Sequence, residues 1–281
     1  VLLGADRPAR IRVEGCLVDL GGGLVPRRVV EKLTREIWGE DQTPTEAAVT
    51  ERTVDSGDVV RAVLTGAACD VLQLDLLEAE PPAASEFGRA GGEFLLALGV
   101  AETGLFVAGA ANARGRSMFF ARLASECAEA GRHVLWIAEA RTHAPQPRRG
   151  WIESADLLSA NAKSAGRRLL DDHVDVVLVD PLRERPWGQR AIRAAARGAV
   201  VVLGVQAEDL EDTIARSLRW LQPRDAEALD ALAACARGAV FLADADADAG
   251  GSPAWNATLG ALTEGVVRAH YNGKSPRRKA A

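Results

Sequence analysis

The chain has 281 residues, of which 48% are hydrophobic and 5% aromatic, and it carries a formal net charge of -5. This length accommodates one large domain or two smaller ones. The acidic balance disfavours a protein whose main partner is nucleic acid, and no apolar run approaches the roughly 18 residues that a membrane span needs. No secretory signal is visible, and because the sequence starts at Val1 rather than at methionine, we expect an upstream segment to be missing from it.

Cysteines and histidines show no spacing that indicates a disulfide framework or a metal site. The residues concerned are Cys16, Cys69, Cys127 and Cys235, with His133, His143, His173 and His270. We therefore expect reduced thiols in a cytoplasmic protein, and histidines in structural positions.

Residues 1–80 have the pattern of a small α+β unit. Alternating apolar residues predict a hairpin over residues 11–20, and the consecutive glycines at 21–23 predict a turn. Helical spacing predicts a helix over residues 25–38, and a second, short helix is predicted over residues 45–52.

A proline-bearing linker separates this unit from the rest of the chain. Strands are predicted at residues 59–64 and 71–77, and the prolines within residues 78–85 then stop regular structure. From about residue 86 strands alternate with longer helices, which predicts βαβ units and a largely parallel sheet. The later predicted strands are 133–137, 174–179, 199–205 and 239–243, and the predicted helices are 116–130, 152–172, 189–197, 208–221 and 225–237.

An apolar strand, a loop of small residues and a helix follow one another over residues 104–130. This order is typical of a phosphate-binding loop, in which backbone N–H groups and a helix N-terminus face an anion. The working pattern is G-x-x-x-x-G-K-[ST], whereas the window of residues 110–117 contains A-A-N-A-R-G-R-S. Gly115 and Ser117 keep the second glycine and the hydroxyl, but Ala110 replaces the first glycine and Arg116 replaces the lysine.

Both replacements weaken the motif. A Cβ atom at the first position costs on the order of 1 kcal/mol if φ must be positive there, and a planar guanidinium does not fill the space of a lysine ammonium group. On this motif alone, a weakened anion site and a purely structural strand-to-helix turn are both open. The candidate nucleotide-binding residues are Ala110, Asn112, Ala113, Arg114, Gly115, Arg116, Ser117 and Met118.

Three further segments share their pattern with one family of ATPases. Residues 4–15 contain a proline and an R-x-x-G pattern in an opening strand pair. Residues 175–184, D-V-V-L-V-D-P-L-R-E, are similar to the Walker B segment D-I-I-L-V-G-E-M-R-D, and residues 190–218 align without a gap with the helix, strand and helix that follow it. Together with the loop window, which lies at the Walker A position, they resemble the type II/type IV secretion ATPase family, most closely its PilT-like pilus retraction motors.

This resemblance implies an α/β fold and an oligomeric assembly. It implies a small N-terminal α+β (PAS-like) domain at residues 1–80, a linker and lead-in helix at 81–100, a RecA-like P-loop domain with a largely parallel sheet at 101–270, and a basic tail at 271–281. Family members form hexameric rings, which implies a homo-oligomer or a hetero-oligomer with an active pilus or secretion ATPase. Arginines that could face such an interface, or equally a solvated helix face, are Arg183, Arg190, Arg193 and Arg197.

The departures from the family fall on its catalytic groups. The catalytic Walker B glutamate matches Pro181, and the histidine-box histidine matches Gln206. The acidic box matches residues 138–142, in which Glu139 is the remaining carboxylate. Phosphoryl transfer to water needs a charge clamp, a bound Mg²⁺ and a group that orients the water. Losing one such group typically costs about 10²–10⁴ in rate, so losing several predicts no measurable hydrolysis and no catalytic residue.

These features predict a degenerate PilT-like ATPase homologue, a pseudo-ATPase that acts as a scaffold or regulatory subunit in the cytoplasm or at the inner-membrane face of a pilus or secretion machine. The residues themselves establish no cofactor, and the resemblance implies ATP or ADP with Mg²⁺ as the candidate ligands. The alternative is a divergent but active hexameric motor, in which Asp180 holds Mg²⁺ with Ser117, or Glu139 takes over the acid role. A binding module that uses the basic tail is a third interpretation, and a dinucleotide-binding enzyme is disfavoured because no G-x-G-x-x-G is present.

Overall fold

The computed structural model describes residues 1–13, 16–39, 48–53, 59–65, 71–78, 80–139, 141–157, 173–245 and 255–272. These residues divide into two compact units, one within Val1–Ala79 and the other from Glu80 onward. Elements are numbered below in chain order over the described residues. The finer division into a linker, an ATPase-type domain and a basic tail stays a prediction, and residues 273–281 of that tail lie outside the described residues.

The first unit contains an antiparallel sheet and a helix. Its strands are β1 (Leu2–Gly4), β2 (Arg7–Val13), β3 (Cys16–Val25), β4 (Ala48–Thr53), β5 (Val59–Thr65) and β6 (Val71–Leu77), in the spatial order β3-β2-β1-β6-β5-β4. Helix α1 (Arg27–Trp38) buries Val30 and Trp38, which pack with Leu64 and Leu72 in the core of this unit. The predicted hairpin is present as the β2–β3 pair.

The predicted short helix over residues 45–52 is wrong in its described part. Ala48–Thr53 forms β4 and pairs antiparallel with β5, whereas residues 45–47 lie outside the described residues. The segment contains the β-branched residues Val49, Thr50 and Thr53, which favour an extended backbone, and pairing with a neighbouring strand outweighs a weak local helix signal.

The predicted turn at residues 21–23 is also wrong, because the three glycines lie inside β3. Their φ angles are 77°, 84° and 88°. Asp19 pairs with Arg10 and Leu24 pairs with Pro8, so four residues of β3 lie opposite the single residue Ala9 of β2. The glycines therefore lie in an extended bulge with more inserted residues than a common β-bulge, and their positive φ angles favour glycine at these positions.

The second unit is a seven-stranded sheet with helices on both faces. In chain order its elements are a 3-10 helix (Ala84–Phe87), α2 (Gly88–Val100), β7 (Gly104–Ala110), α3 (Ala113–Glu129), β8 (His133–Ala138), β9 (Trp151–Asp156), β10 (Val176–Asp180), α4 (Arg185–Ala196), β11 (Val200–Gln206), α5 (Leu210–Leu221), α6 (Ala226–Cys235), β12 (Ala236–Asp244), β13 (Trp255–Ala261) and α7 (Glu264–Tyr271). The strand order is β13-β12-β7-β11-β10-β8-β9. Strand β13 is antiparallel to β12, and the other described pairs are parallel.

Each central strand supplies both cores of this unit. On β10, Val177 and Val179 join the core that includes α4, α5 and α6, whereas Val176 and Leu178 join the core that includes α2 and α3. Because both faces of the strand are covered, its sequence is a continuous apolar run, which is the pattern expected for a buried parallel strand.

Three expectations for the second unit need correction. The helix predicted over residues 152–172 is wrong where it is described, because residues 152–156 belong to the edge strand β9, and residues 158–172 lie outside the described residues. The helix predicted to reach residue 237 ends at Cys235, and β12 begins at Ala236. Strand β13 and helix α7 have no counterpart in the sequence-based prediction. Among the described residues, no helix is both long enough and apolar enough to cross a membrane.

Candidate functional site

The residues singled out by the sequence gather at one edge of the large sheet. Ala110 ends β7 and pairs with Gln206, the last residue of β11. Asp180 ends β10 and pairs with Ala138, the last residue of β8. Since these strands are parallel, their carboxyl ends meet at the same edge, where open α/β sheets bind ligands.

Helix α3 begins early, and this shortens the loop that precedes it. In the working motif, four residues separate the two glycines and their amides cradle phosphate. Here Ala113 and Arg114 already belong to α3, which leaves only Ala111 and Asn112 between strand and helix. N–H groups in a regular helical turn point along the axis, so this short loop offers fewer converging N–H groups than the working motif does.

Asn112 explains the early start, because it caps α3. Its Oδ1 accepts a hydrogen bond from the Gly115 N–H at 2.7 Å, and its backbone is extended, with φ -118° and ψ 157°. The Asn112 Nδ2 also donates to both carboxylate oxygens of Asp244 at the end of β12, at 3.0 Å each. An amide oxygen therefore takes the Gly115 N–H, which a phosphate oxygen would need.

Trp255 packs directly on the glycine of the loop window. A Cβ atom on Gly115 would lie 2.6 Å from the Trp255 Nε1 and 3.3 Å from the Asn112 Oδ1. The indole is 7% exposed and stacks on Phe87, with ring centroids 5.2 Å apart. Gly115 is thus retained where an aromatic ring approaches the backbone, which is a structural reason for glycine independent of any ligand.

Arg116, the residue at the lysine position, is buried in an ion pair. Its side chain is 4% exposed, and its Nε donates to the Oδ1 of Asp180, whose side chain is 2% exposed. A Cβ atom on Gly204 of β11 would lie 2.5 Å from that Oδ1 and 3.1 Å from the Arg116 Cδ. The glycine in β11 therefore makes the room that the pair occupies.

The electrostatics of this pair follow from its burial. Loss of hydration raises the pKa of the Asp180 carboxyl, and the Arg116 guanidinium opposes that rise. The Arg116 Nη1 is buried without a hydrogen-bond partner among the described residues. A carboxylate held by a guanidinium in this way is poorly placed to coordinate Mg²⁺, because the cation would have to displace the arginine.

Ser117, the predicted metal-binding hydroxyl, faces a loop after β8. Its Oγ accepts a hydrogen bond from the Thr142 N–H at 3.1 Å and lies 3.2 Å from the Thr142 Oγ1. The Thr142 Oγ1 in turn lies 2.7 Å from the Nδ1 of His143, which is 2% exposed. Among the described residues, no group of three or more histidine, cysteine or acidic side chains is placed to hold a metal ion.

Glu139, Pro181 and Gln206, the three positions that the sequence matches to family motifs, are close to the same edge. Glu139 forms an ion pair with Arg183 at 2.7 Å, and its N–H donates to the Asp180 backbone oxygen at 2.9 Å. Pro181 is buried directly after Asp180. The Gln206 Nε2 donates to the Ala111 oxygen at 3.4 Å, so it helps to hold the short loop.

The remaining predicted residues divide into two groups. In the loop window, Ala110 is buried, Arg114 is exposed in the first turn of α3, and Met118 packs against a core. Of the arginines proposed for an interface, Arg190 lies over the Trp187 ring at 5.5 Å. Arg193 and Arg197 line a groove between α4 and α6.

Four residues that shape this edge were missed from the sequence: Asp244, Trp255, Thr142 and Gly204. Trp255 follows a low-complexity acidic stretch, which hides its strand from a local pattern search. Gly204 lies inside an apolar strand, and an isolated strand glycine is a known signal of close approach by another group.

Comparison with solved structures identifies proteins of similar fold. The chain resembles the pilus retraction motor PilT, determined with bound ADP, with 18% identity and a TM-score of 0.75 over 97% of this chain and 82% of that chain. It also resembles the ATPase DotB of Legionella pneumophila, with 15% identity and a TM-score of 0.70 over 97% and 82% of the two chains. For DotB of Yersinia pseudotuberculosis the identity is 13% and the TM-score 0.61, over 96% and 77%.

No protein-family model and no curated protein sequence matches this chain. The expected fold class, a small N-terminal α+β domain followed by an α/β domain with a largely parallel sheet, is confirmed. The chain has the fold of the pilus retraction and secretion ATPases, as its sequence motifs predict.

Proposed function

We propose that this protein is a degenerate PilT-like ATPase homologue that does not hydrolyse ATP and serves as a scaffold or regulatory subunit of a type IV pilus or type II secretion machine. The observation that carries the proposal is the buried ion pair between Arg116 and Asp180. It occupies the two side chains that would otherwise have to bind the outer phosphates and the Mg²⁺.

Three further features at this edge support weak or absent nucleotide binding. Helix α3 begins at Ala113, and Asn112 already accepts the Gly115 N–H. Trp255 covers the Gly115 backbone. At the position of the catalytic glutamate, Pro181 has no group that accepts a proton. The lack of that proton-accepting group alone would slow hydrolysis by about two to four powers of ten.

A scaffold role fits a chain whose framework is intact while its catalytic groups are changed. We propose that it assembles with copies of itself or with an active motor in the cytoplasm, and that Arg183, Arg190, Arg193 and Arg197 contribute to such contacts. Light scattering of the protein alone, and mixed with an active pilus ATPase, tests this. A monomer in both samples contradicts it.

Hydrolysis and nucleotide binding are tested together. We expect no heat of binding when ATP with Mg²⁺ is titrated into the protein at micromolar concentration, and no phosphate release above that of buffer. The control is the Glu139→Gln variant, which leaves the buried Arg116–Asp180 pair intact and should give the same background. Turnover near one per second, the low end for ordinary enzymes, would overturn the proposal.

The second candidate function, a divergent active motor, is favoured by Glu139, which lies next to Asp180 along the same edge. It requires that wild-type protein releases phosphate and that Asp180→Ala or Glu139→Gln abolishes the release. The same assay therefore decides between the two functions.

A further inference from the structure

A groove between α4 and α6 lies away from the loop window. It encloses about 370 Å³, a size within the range of small-molecule sites. Arg197 is the C-cap of α4, shortly before β11 begins, so the groove lies toward the amino ends of the strands. Helices α4 and α6 pack on the sheet face opposite to α3, and the groove is therefore separate from the carboxyl edge described above.

Arginines line this groove from both sides. Arg193 and Arg197 are one helical turn apart on α4, and Arg224 lies across the groove, just before α6. All three are exposed. Within the described part of the chain, Arg193 and Arg224 have no acidic partner. Two unpaired guanidinium groups facing one cavity match a phosphate monoester, which carries a charge of about -1.5 to -2 and accepts bidentate hydrogen bonds.

The other lining residues indicate what the phosphate would be attached to. Ile192 is 3% exposed and, with Pro223 and Ala228, gives the groove an apolar wall. Asp225 caps α6 by accepting the Ala228 N–H at 2.8 Å, and Glu227 follows it in the first turn. Carboxylates beside an anion site accept hydrogen bonds from sugar hydroxyls, as at ribose in dinucleotide sites.

We propose that the groove between α4 and α6 binds a phosphorylated sugar ligand of mononucleotide size. The phosphate lies between Arg193 and Arg224, the hydroxyl groups face Asp225 and Glu227, and the base or other apolar body packs on Pro223 and Ala228. This site shares no residue with the loop window, so it does not depend on the absence of ATP hydrolysis. Arg193 and Arg197 also belong to the arginines proposed for subunit contacts, so ligand binding and assembly would compete for them.

AMP is the probe, titrated into the full-length protein by calorimetry, with adenosine and inorganic phosphate as separate arms. We expect saturable AMP binding at millimolar concentration or below, and at least about tenfold weaker binding of each fragment, because neither makes both sets of contacts. Binding should weaken as salt is raised, since the arginines are exposed.

Charge reversal locates the site. The double variant Arg193→Glu with Arg224→Glu should lower AMP affinity at least about tenfold, whereas Arg185→Glu, an exposed arginine at the start of the same helix and outside the groove, should leave it within about twofold. An unchanged unfolding midpoint shows that the variants are folded. If the double variant is destabilised, Arg193→Gln with Arg224→Gln replaces it, because it removes charge without adding repulsion.

Amide chemical shifts, measured by NMR as AMP is added, distinguish a failure of this proposal from a failure of the proposed function. Shifts confined to Gln189, Ala228 and their neighbours support the groove. Shift changes confined to Gly115 and Ser117 overturn the proposed groove site and also contradict weak or absent nucleotide binding at the loop window. No saturable AMP binding, or binding unchanged by the double variant, overturns the groove and leaves the proposed function intact.

Discussion

At the scale of single residues, the carboxyl edge of the large sheet is organised around a buried ion pair. Arg116 and Asp180 are both almost fully buried, and Gly204 leaves them room. A buried ion pair contributes little net stability, because removing two charges from water costs about as much as their attraction returns. Removing one partner is different, because the other is left buried and uncompensated.

The first prediction concerns this pair. Arg116→Ala should lower the free energy of unfolding by about 3–5 kcal/mol at neutral pH, measured by urea denaturation. The penalty should shrink as pH falls: the pKa of Asp180 is already raised by burial and rises further without the guanidinium, so the folded state takes up a proton that the unfolded state does not.

The matched control replaces both partners. Arg116→Met with Asp180→Leu keeps the volume and removes both charges, so it should cost much less than the single change. If Arg116→Ala alone costs below about 1 kcal/mol, the side chain is not held by this carboxylate.

The second prediction tests whether Gly204 of β11 leaves the space that the Arg116–Asp180 ion pair occupies. Gly204→Ala places a Cβ 2.5 Å from the Asp180 Oδ1, and the strand backbone cannot move away from its two neighbours. We expect a loss of about 1–3 kcal/mol in the free energy of unfolding. Gly265→Ala in α7 is the control, since its nearest atom would be 3.9 Å away, and it should be neutral or stabilising. Equal effects of the two changes would contradict the close approach.

At the scale of elements, apolar runs made the central strands predictable, since β10 and β11 are covered on both faces. The edge strands were not predictable in this way. The segment at Trp151–Asp156 pairs on one side with β8, and its alternation is too short to outweigh a helical pattern. Gly21–Gly23 correctly indicate positive φ angles, but such angles occur in bulges as well as in turns.

The start of α3 was misplaced for a physical reason. Comparison with a phosphate-loop pattern leads one to begin the helix at Arg116, whereas Asn112 is a strong N-cap and Ala113 a strong helix former, so the helix begins at Ala113. The contacts of Arg116 with Asp180, and of Gly115 with Trp255, join residues far apart in the chain, and no local pattern reports them.

The third prediction separates the two hydrogen-bonding roles of Asn112. Asn112→Ala removes both the cap of α3 and the contact with Asp244, and should cost about 1 kcal/mol or somewhat more in the free energy of unfolding. Asn112→Ser restores a capping oxygen, so it should recover most of the lost stability. Its shorter side chain cannot reach Asp244, so recovery should be incomplete. Recovery by Asn112→Leu instead would show that the cap is not the source of stability.

At the scale of the whole molecule, the described core residues fall into separate clusters for the two units. The core around Trp38 and Leu72 belongs to the first unit, and the two cores of the large sheet belong to the second. Units with their own cores can fold as independent domains.

The fourth prediction follows from this separation. A fragment that begins at Glu80 should keep a helical far-UV circular dichroism spectrum and unfold cooperatively in urea, because both of its cores are complete without the first unit. The full chain, and a shorter fragment that begins at Gly104 and lacks α2, serve as comparisons. The shorter fragment should be destabilised, since α2 contributes Leu95 and Leu98 to a core. A fragment from Glu80 that unfolds without a transition would refute independent folding.

Because α3 begins at Ala113, exchanging side chains alone would not produce a phosphate-binding loop at this edge. Replacing Arg116 with lysine and Pro181 with glutamate would introduce the side chains of the working motifs, yet the peptide units at Ala113 and Arg114 would still be wound into the first turn of α3. Building a phosphate cradle here would require a longer, glycine-rich connection and a smaller side chain in place of Trp255, which covers Gly115. The path of the main chain, and not only the choice of side chains, thus determines what this edge of the sheet can bind.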